Sequence, residues 1–79
     1  MHLKIKYFGV IAEEAGVAEE TLQLDPVDWT VESLRAYCFA ARNLREDSAI
    51  RVAVNQQLRQ SGPLQPGDEV AFLPPFAGG

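Results

Sequence analysis

The chain has 79 residues, 7 of them basic and 11 acidic, which gives a formal net charge of −4. This length fits one small domain, and the acidic balance argues against a nucleic-acid binder, which needs a basic face to follow phosphates. One cysteine excludes an intramolecular disulfide, and one histidine excludes the usual metal-ligand sets. Because the sequence lacks both an apolar run near ~20 residues and a signal-peptide layout, we expect a cytoplasmic protein that does not enter a membrane.

The first third of the chain predicts two strands joined by a short helix. Residues 2–8 alternate polar and apolar side chains, with Leu3, Ile5 and Tyr7 on one face, which is typical of a half-buried strand. Gly16, the usual kind of residue beyond a helix end, closes the predicted helix. The predicted bounds are 2–8 for the first strand, 10–15 for the helix and 20–24 for the second strand.

A longer amphipathic helix is predicted over residues 31–43. Thr30 is a good N-cap, and Trp29 just before it is placed to pack on Leu34 as a hydrophobic staple. Apolar residues then recur at spacings of three and four, which predicts one buried stripe. The stripe consists of Val31, Leu34, Cys38 and Ala41, with Tyr37 at its edge.

The last part of the chain predicts three more strands, over 50–54, 57–59 and 68–73, with Pro66-Gly67 forming a type II turn. One amphipathic helix between two strand pairs must bury its stripe on one face of a single sheet, which is an α+β arrangement. With right-handed crossovers, the compact solution is the ubiquitin-like β-grasp. We therefore expect a mixed five-stranded sheet, one strand short, packed on one long helix plus a short helix.

The C-terminal pair Gly78-Gly79 is the least ordinary feature of the sequence. Terminal glycines add nothing to a core and are costly to order, so one interpretation is a frayed end. The other is a thin arm that presents its carboxylate to the active site of another protein. Pro74-Pro75 would end the last strand and stiffen the exit, and Phe76 would be an aromatic partner contact. We expect a domain over 1–73 and a flexible tail over 74–79.

Five segments together carry a specific resemblance. Residues 67–79 read GDEVAFLPPFAGG, residues 53–56 read AVNQ, residues 63–64 read PL, the first strand opens with LKIKYF, and the long helix starts with TVESLR. These segments resemble the MoaD family, the ubiquitin-like sulfur carriers that form the small subunit of molybdopterin synthase. A terminal Gly-Gly alone is shared by every ubiquitin-like carrier, whereas the full C-terminal motif is specific. The similarity covers essentially the whole chain.

The resemblance implies a carrier that reacts through the carboxylate of Gly79. In this family an ATP-dependent activating enzyme of the ubiquitin-activating type adenylates that carboxylate, and a persulfide sulfur converts it to a thiocarboxylate. The tail then enters the large synthase subunit, in a heterotetramer, and donates sulfur to cyclic pyranopterin monophosphate during molybdopterin synthesis. ATP is used by the activating enzyme, and this chain itself binds no cofactor. The implied site comprises Gly78 and Gly79 as the reacting tail and Phe72, Pro74, Pro75, Phe76 and Ala77 as partner contacts.

The residue inventory agrees with a non-catalytic carrier. The chain has no Gly-rich phosphate loop for ATP and no basic pocket for a phosphorylated pterin, so partners must supply both. Three alternatives remain open: a sulfur carrier for thiamine-thiazole synthesis, a ubiquitin-like modifier joined through Gly79 to lysines, and a plain β-grasp binding module.

Other reactive residue types have ordinary interpretations. Cys38 lies on the apolar stripe, where a lone cysteine is usually a small buried hydrophobe, and His2 points outward from the first strand. The acidic pairs at 13–14 and 19–20 are interpreted as solvated surface, because neighbours in a helix or strand point apart. A modest basic face that orients a partner is predicted from Lys4, Lys6, Arg51 and Arg59.

Overall fold

A five-stranded sheet with two helices makes up the described part of the protein, a computed structural model in which residues 1–75 are described. The strands lie in the order β2-β1-β5-β3-β4. Their bounds and those of the helices are β1 His2–Tyr7, α1 Gly9–Ala15, β2 Glu19–Gln23, α2 Val31–Ala41, β3 Arg51–Val54, β4 Gln57–Leu58 and β5 Glu69–Leu73. Within residues 1–75, no helix is long and apolar enough to cross a membrane.

The sheet is mixed, as predicted. β1 and β5 pair in parallel at its centre, whereas β1–β2, β3–β5 and β3–β4 are antiparallel. β4 has only two residues, which makes it the expected short strand. Because parallel strands end at the same edge of a sheet, β5 delivers the chain to the point where β1 leads into α1. This arrangement is the ubiquitin-like β-grasp, and it places the exit of the C-terminal tail beside α1.

The core lies between α2 and one face of the sheet. Buried and outward side chains alternate along β1, which packs one face of the sheet against the core. On β3 and β5 the small residues Ala53 and Ala71, between the inward positions, are buried as well. The predicted helix stripe is wrong at one position, because Ala41 is exposed and Phe39 is buried instead. Phe39 packs edge-on against Phe72, with ring centroids 5.3 Å apart, a reach that an alanine side chain lacks. The helix residues in the core are Val31, Leu34, Cys38 and Phe39.

The predicted N-cap of α2 is confirmed. Thr30 Oγ1 accepts a hydrogen bond from the Ser33 backbone N–H at 3.1 Å, and Ser33 Oγ accepts one from the Thr30 N–H at 2.9 Å. This reciprocal capping box satisfies two of the donors that a helix start leaves free. Trp29, just before the cap, packs edge-on against Tyr37 with centroids 5.6 Å apart.

The end of α2 comes two residues before the predicted one. Asn43 adopts a left-handed conformation with φ of 55°, which ends the helical path. Its N–H donates to the Ala40 carbonyl at 3.2 Å, and the Leu44 N–H donates to the Phe39 carbonyl at 2.8 Å. These two bonds form a Schellman motif with asparagine in the usual glycine position. The other predicted elements agree with the observed bounds to within one residue at each end.

Candidate functional site

The C-terminal tail leaves the domain through residues 73–75, which we call the tail root. The Phe8 N–H donates to the Phe72 carbonyl at 3.2 Å, and β5 ends one residue later, at Leu73. Pro74 and Pro75 have no backbone N–H, so they cannot extend the ladder. The prediction that the two prolines end the last strand is confirmed.

Gly9, the first residue of α1, is the close neighbour of the tail root. Its φ of +56° is a left-handed value that favours glycine, and a Cβ built at this position would lie 3.0 Å from Pro74 Cγ. Two separate constraints therefore require glycine here. The sequence does not predict this contact, because Gly9 and Pro74 are far apart along the chain and no local pattern links them.

Two hollows flank the tail root. We call the first the apolar hollow, of about 630 Å³, which lies on the β3–β4 side and contains Leu58, whose side chain is 62% exposed. The second, the charged hollow, has about 230 Å³ and lies on the α1 side, where carboxylates and one guanidinium join apolar side chains. Besides Pro74 and Pro75, the apolar hollow is lined by Ser48, Ala49, Arg51, Leu58 and Leu73. The charged hollow is lined, besides the same prolines, by Val10, Ile11, Glu14, Arg45, Asp47 and Ile50.

Apart from Phe72, the predicted site residues divide into two groups. Phe76, Ala77, Gly78 and Gly79 lie outside the described residues. Pro74 is half-buried and Pro75 is exposed, in the tail root.

Phe72 requires a correction. Its side chain has 0% exposure and stacks between Tyr7, at 5.8 Å between ring centroids, and Phe39. A side chain that fills the core has no surface left for a partner, so Phe72 supports the fold beneath the tail root. Its pairing with the β1 end helps to fix where the chain leaves the sheet.

The predicted basic face is divided between two sides of the sheet. Lys4 and Lys6 lie on the open face, where they pair with carboxylates: Lys4 Nζ lies 3.9 Å from Glu19 and Lys6 Nζ lies 3.5 Å from Glu69. Leu58 lies on the same side of the sheet as Arg51, since both line the apolar hollow. Arg59 is the next residue and points to the other side, where its Nε donates to the Ser61 carbonyl at 3.2 Å. Arg51 shares the open face with the lysines, so the prediction is wrong for Arg59 alone.

Cys38 is buried, as predicted, with 1% exposure. Burial raises the pKa of its thiol to about 11, so the nucleophilic thiolate is scarce near neutral pH. His2 is exposed on β1, in agreement with its predicted outward position. No group of three or more histidine, cysteine, aspartate or glutamate residues among positions 1–75 could hold a metal ion.

Glu20 departs from the predicted solvated surface. Its carboxylate is half-buried, accepts a hydrogen bond from the Tyr7 hydroxyl at 2.7 Å, and accepts two more from Arg42, at 2.5 and 3.1 Å. The Arg42 hydrogen bond is the main cause that lowers the pKa of Glu20, whereas burial is the main cause that raises the pKa of Tyr7. This cluster joins β1, β2 and the end of α2 beneath the exit edge. Glu13, Glu14 and Glu19 are exposed, as predicted.

With the fold and the exit geometry in place, the chain can be compared with known proteins. The model of the ThiS family matches residues 5–79. The chain belongs to the ThiS family. This ThiS-family chain is 38% identical to the molybdopterin synthase sulfur carrier subunit of Chlamydomonas reinhardtii, covering 100% of both chains. It is 39% identical to the protein of the same name from Escherichia coli K12, covering 98% of this chain and 99% of that one.

A solved structure supports the same fold. The ThiS-family chain superposes on small archaeal modifier protein 1 from Haloferax volcanii with a TM-score of 0.77, at 25% identity, covering 94% of this chain and 97% of that one. The resemblance that the C-terminal motif carried is thus confirmed over the whole chain, and so is the β-grasp fold. The site at the tail root lies within the matched residues.

Proposed function

We propose that this protein is the sulfur-carrier subunit of a molybdopterin synthase. The observation that carries the proposal is its identity of 38% and 39%, over nearly the whole length, to two molybdopterin synthase sulfur carrier subunits. The geometry is compatible with this role, because a central strand leads directly into a proline-stiffened exit at the edge of the sheet. The protein acts as a non-catalytic sulfur donor within the complex.

The proposed chemistry takes place at the carboxylate of Gly79. A carboxylate is a poor electrophile because oxide is a poor leaving group. An ATP-dependent activating enzyme of the ubiquitin-activating type therefore joins the carboxylate to AMP and releases pyrophosphate. A persulfide sulfur attacks the acyl carbon and displaces AMP, and reductive cleavage of the resulting S–S bond by a thiol leaves the thiocarboxylate. Gly78 and Gly79 leave this carbon accessible, since neither has a Cβ.

The proposed partners are the large synthase subunit, the activating enzyme and a persulfide donor. The large subunit binds cyclic pyranopterin monophosphate and receives the tail, while the activating enzyme provides the ATP site. Both recognise the tail through Pro74, Pro75, Phe76 and Ala77, and the apolar hollow beside the first two offers Leu58 as a further contact. This chain contributes the acyl end and a surface that identifies it, and no bound cofactor is required of it.

The test is an intact-mass measurement. We expect the protein, after co-expression with its activating enzyme, to gain the mass difference between one sulfur and one oxygen. The thiocarboxylate form, mixed with the large subunit and cyclic pyranopterin monophosphate, then yields molybdopterin. An unchanged mass, with an activating enzyme that modifies another carrier in parallel, contradicts the proposal.

The likeness to small archaeal modifier protein 1 favours a second candidate, a modifier joined through Gly79 to lysines of other proteins. This candidate predicts a ladder of conjugates on a denaturing gel, and the sulfur-carrier proposal predicts none. A related carrier for thiamine-thiazole synthesis also gains sulfur. It differs from the proposed function in supporting thiazole formation and not molybdopterin formation in parallel assays.

A further inference from the structure

The loop over residues 42–50, between α2 and β3, builds part of both hollows at the tail root. Ser48 and Ala49 line the apolar hollow, and Asp47 and Ile50 line the charged hollow. The same short segment therefore forms a wall on each side of the exit. Any shift of this loop alters both hollows at once.

One side chain of α2 holds this loop. Arg35 Nε donates to the Glu46 carboxylate at 3.0 and 3.1 Å, and Arg35 Nη2 donates to the same carboxylate at 2.5 Å. Its Nη1 donates to the Ile50 carbonyl at 3.0 Å, and Nη2 also donates to the Asp47 carbonyl at 2.8 Å. A single guanidinium thus bonds to three loop residues, of which two line the charged hollow.

The guanidinium is held firmly and largely out of solvent. The Arg35 side chain is only 16% exposed, and its Cζ lies 5.2 Å from the centre of the Phe39 ring in a cation–π contact. The hydrogen bond from Arg35 also lowers the pKa of Glu46. A lysine at this position has a point charge without the planar fork and cannot reach all the acceptors that arginine satisfies.

We propose that Arg35 is a positioning residue for the C-terminal tail. By fixing residues 46–50 against the tail root, it sets the shape of the two hollows that the activating enzyme contacts when it takes the tail. This inference rests on the proposed function, because the shape of the hollows affects activity only if the activating enzyme binds the carrier there. Arg35 acts through the loop residues to which it donates, so its effect is on productive binding of the carrier.

The chain offers a matched control on the same helix. Arg42, the C-cap of α2, also forms a two-pronged pair with a carboxylate, that of Glu20, yet neither residue lines a hollow at the tail root. Arg35→Gln removes the ion pair with Glu46, and Arg42→Gln removes the comparable ion pair with Glu20. Only the first change removes the hydrogen bonds that hold residues 46–50 of the loop, because the bonds of Arg42 fix only the first loop residue.

The experiment measures kcat and KM of the activating enzyme for the carrier, together with the thermal midpoint of each variant. We expect Arg35→Gln to raise KM about tenfold with little change in kcat. The loss of these internal charge-assisted hydrogen bonds frees residues 46–50, so the enzyme must bind hollows that are no longer held in shape, while the acyl end is unchanged. Arg35→Lys should recover part of the loss. Arg42→Gln should lower the thermal midpoint and leave KM unchanged.

Three outcomes overturn the inference. An unchanged KM in Arg35→Gln removes any positioning role, and an equal rise of KM in Arg42→Gln shows that loosening the domain anywhere has the same effect. A fall of kcat alone indicates a role in the chemical step instead.

A wild-type protein that gains no sulfur contradicts the proposed function, but the effect of Arg35 on the loop can still be measured separately by NMR. NMR amide shifts at Arg51 and Leu73 should change in Arg35→Gln and not in Arg42→Gln. Equal shifts in the two variants reject the positioning role independently of the assay.

Discussion

The two ends of β5 come from one continuous motif, yet they differ in where their polar groups find partners. At the start of the strand every bond is internal. Asn55 Nδ2 donates to Asp68 Oδ1 at 3.0 Å, Asn55 Oδ1 accepts from the Glu69 N–H at 3.0 Å, and Asp68 Oδ2 accepts from the Gln65 N–H at 2.8 Å. Gly67, with φ of +88°, completes the turn that leads into the strand.

At the other end of β5 the residues of the tail root are partly or fully exposed to solvent. Pro74 and Pro75 have no donors to pair, and the hollows beside them expose apolar surface such as Leu58. One sequence motif therefore contains both residues that stabilise the fold and residues that a partner can contact. Those before the strand stabilise the turn and the hairpin beside it, and those after the strand remain available to a partner.

The largest expected effect comes from removing Gly79. Under the proposed function this deletion abolishes thiocarboxylate formation, because the reacting carboxylate is displaced by one residue. We expect the free energy of unfolding to stay unchanged, since a terminal glycine contributes nothing to a core. Mass spectrometry and urea unfolding of the same sample measure the two effects. Unfolding of the domain on deletion would show that the tail is part of the fold.

At the start of β5 we expect a loss of stability with no effect on recognition by the activating enzyme, the reverse of the result for Gly79. Asn55→Ala removes both side-chain bonds and leaves an alanine with φ of +50°, so we expect a loss of about 2 kcal/mol in unfolding free energy. Asn55→Gly removes the same bonds without the backbone strain and should cost less. Neither variant should change KM for the activating enzyme. A raised KM in Asn55→Gly would show that the start of β5 also affects binding to the activating enzyme, and not stability alone.

A smaller effect is expected where the tail root touches α1. Gly9→Ala introduces a Cβ 3.0 Å from Pro74 Cγ at a φ of +56°, and we expect a loss of about 1–2 kcal/mol together with a raised KM. Gly16→Ala is the matched control, because its φ is +83° and nothing lies within 4 Å of the added Cβ. The control should lose stability and keep its KM. Equal KM values in the two variants would show that the Pro74 contact does not direct the tail.

Sequence patterns identified most of the fold because their signals are local. Alternation predicted the strands, a Thr cap began α2 where expected, and Pro66-Gly67 formed the predicted turn, with the Asp68 N–H bonded to the Gln65 carbonyl at 3.1 Å. The hollows could not be predicted, because they depend on contacts between residues far apart in sequence, such as Gly9 with Pro74.

Phe72 illustrates a different kind of error. Its position two residues after Val70 in the same strand predicts an inward side chain, whereas the resemblance to the family implies a partner contact. The structure agrees with the alternation, since both side chains have 0% exposure. Local periodicity is therefore the better guide inside a strand, whereas the motif is informative beyond its end.

The smallest expected effect concerns the stability that the Glu20 carboxylate gives to the domain. Tyr7 stacks on Phe72 and donates to Glu20, whose pKa in the folded protein lies below its ordinary value of 4.5 chiefly because Arg42 donates to it. A carboxyl with a lowered folded pKa stabilises the fold above its unfolded pKa, and this contribution is lost as the pH falls through the folded value.

We therefore expect wild type to exceed Glu20→Gln in unfolding free energy by about 1 kcal/mol at neutral pH, with the difference shrinking below about pH 4.5. Glu19→Gln is the control, because its carboxylate is 57% exposed and lies 3.9 Å from Lys4 Nζ, so its loss should change the unfolding free energy very little. Urea unfolding across pH 3–7 measures both curves. A Glu20→Gln difference that stays constant with pH would mean that packing at this position, and not its charge, stabilises the fold.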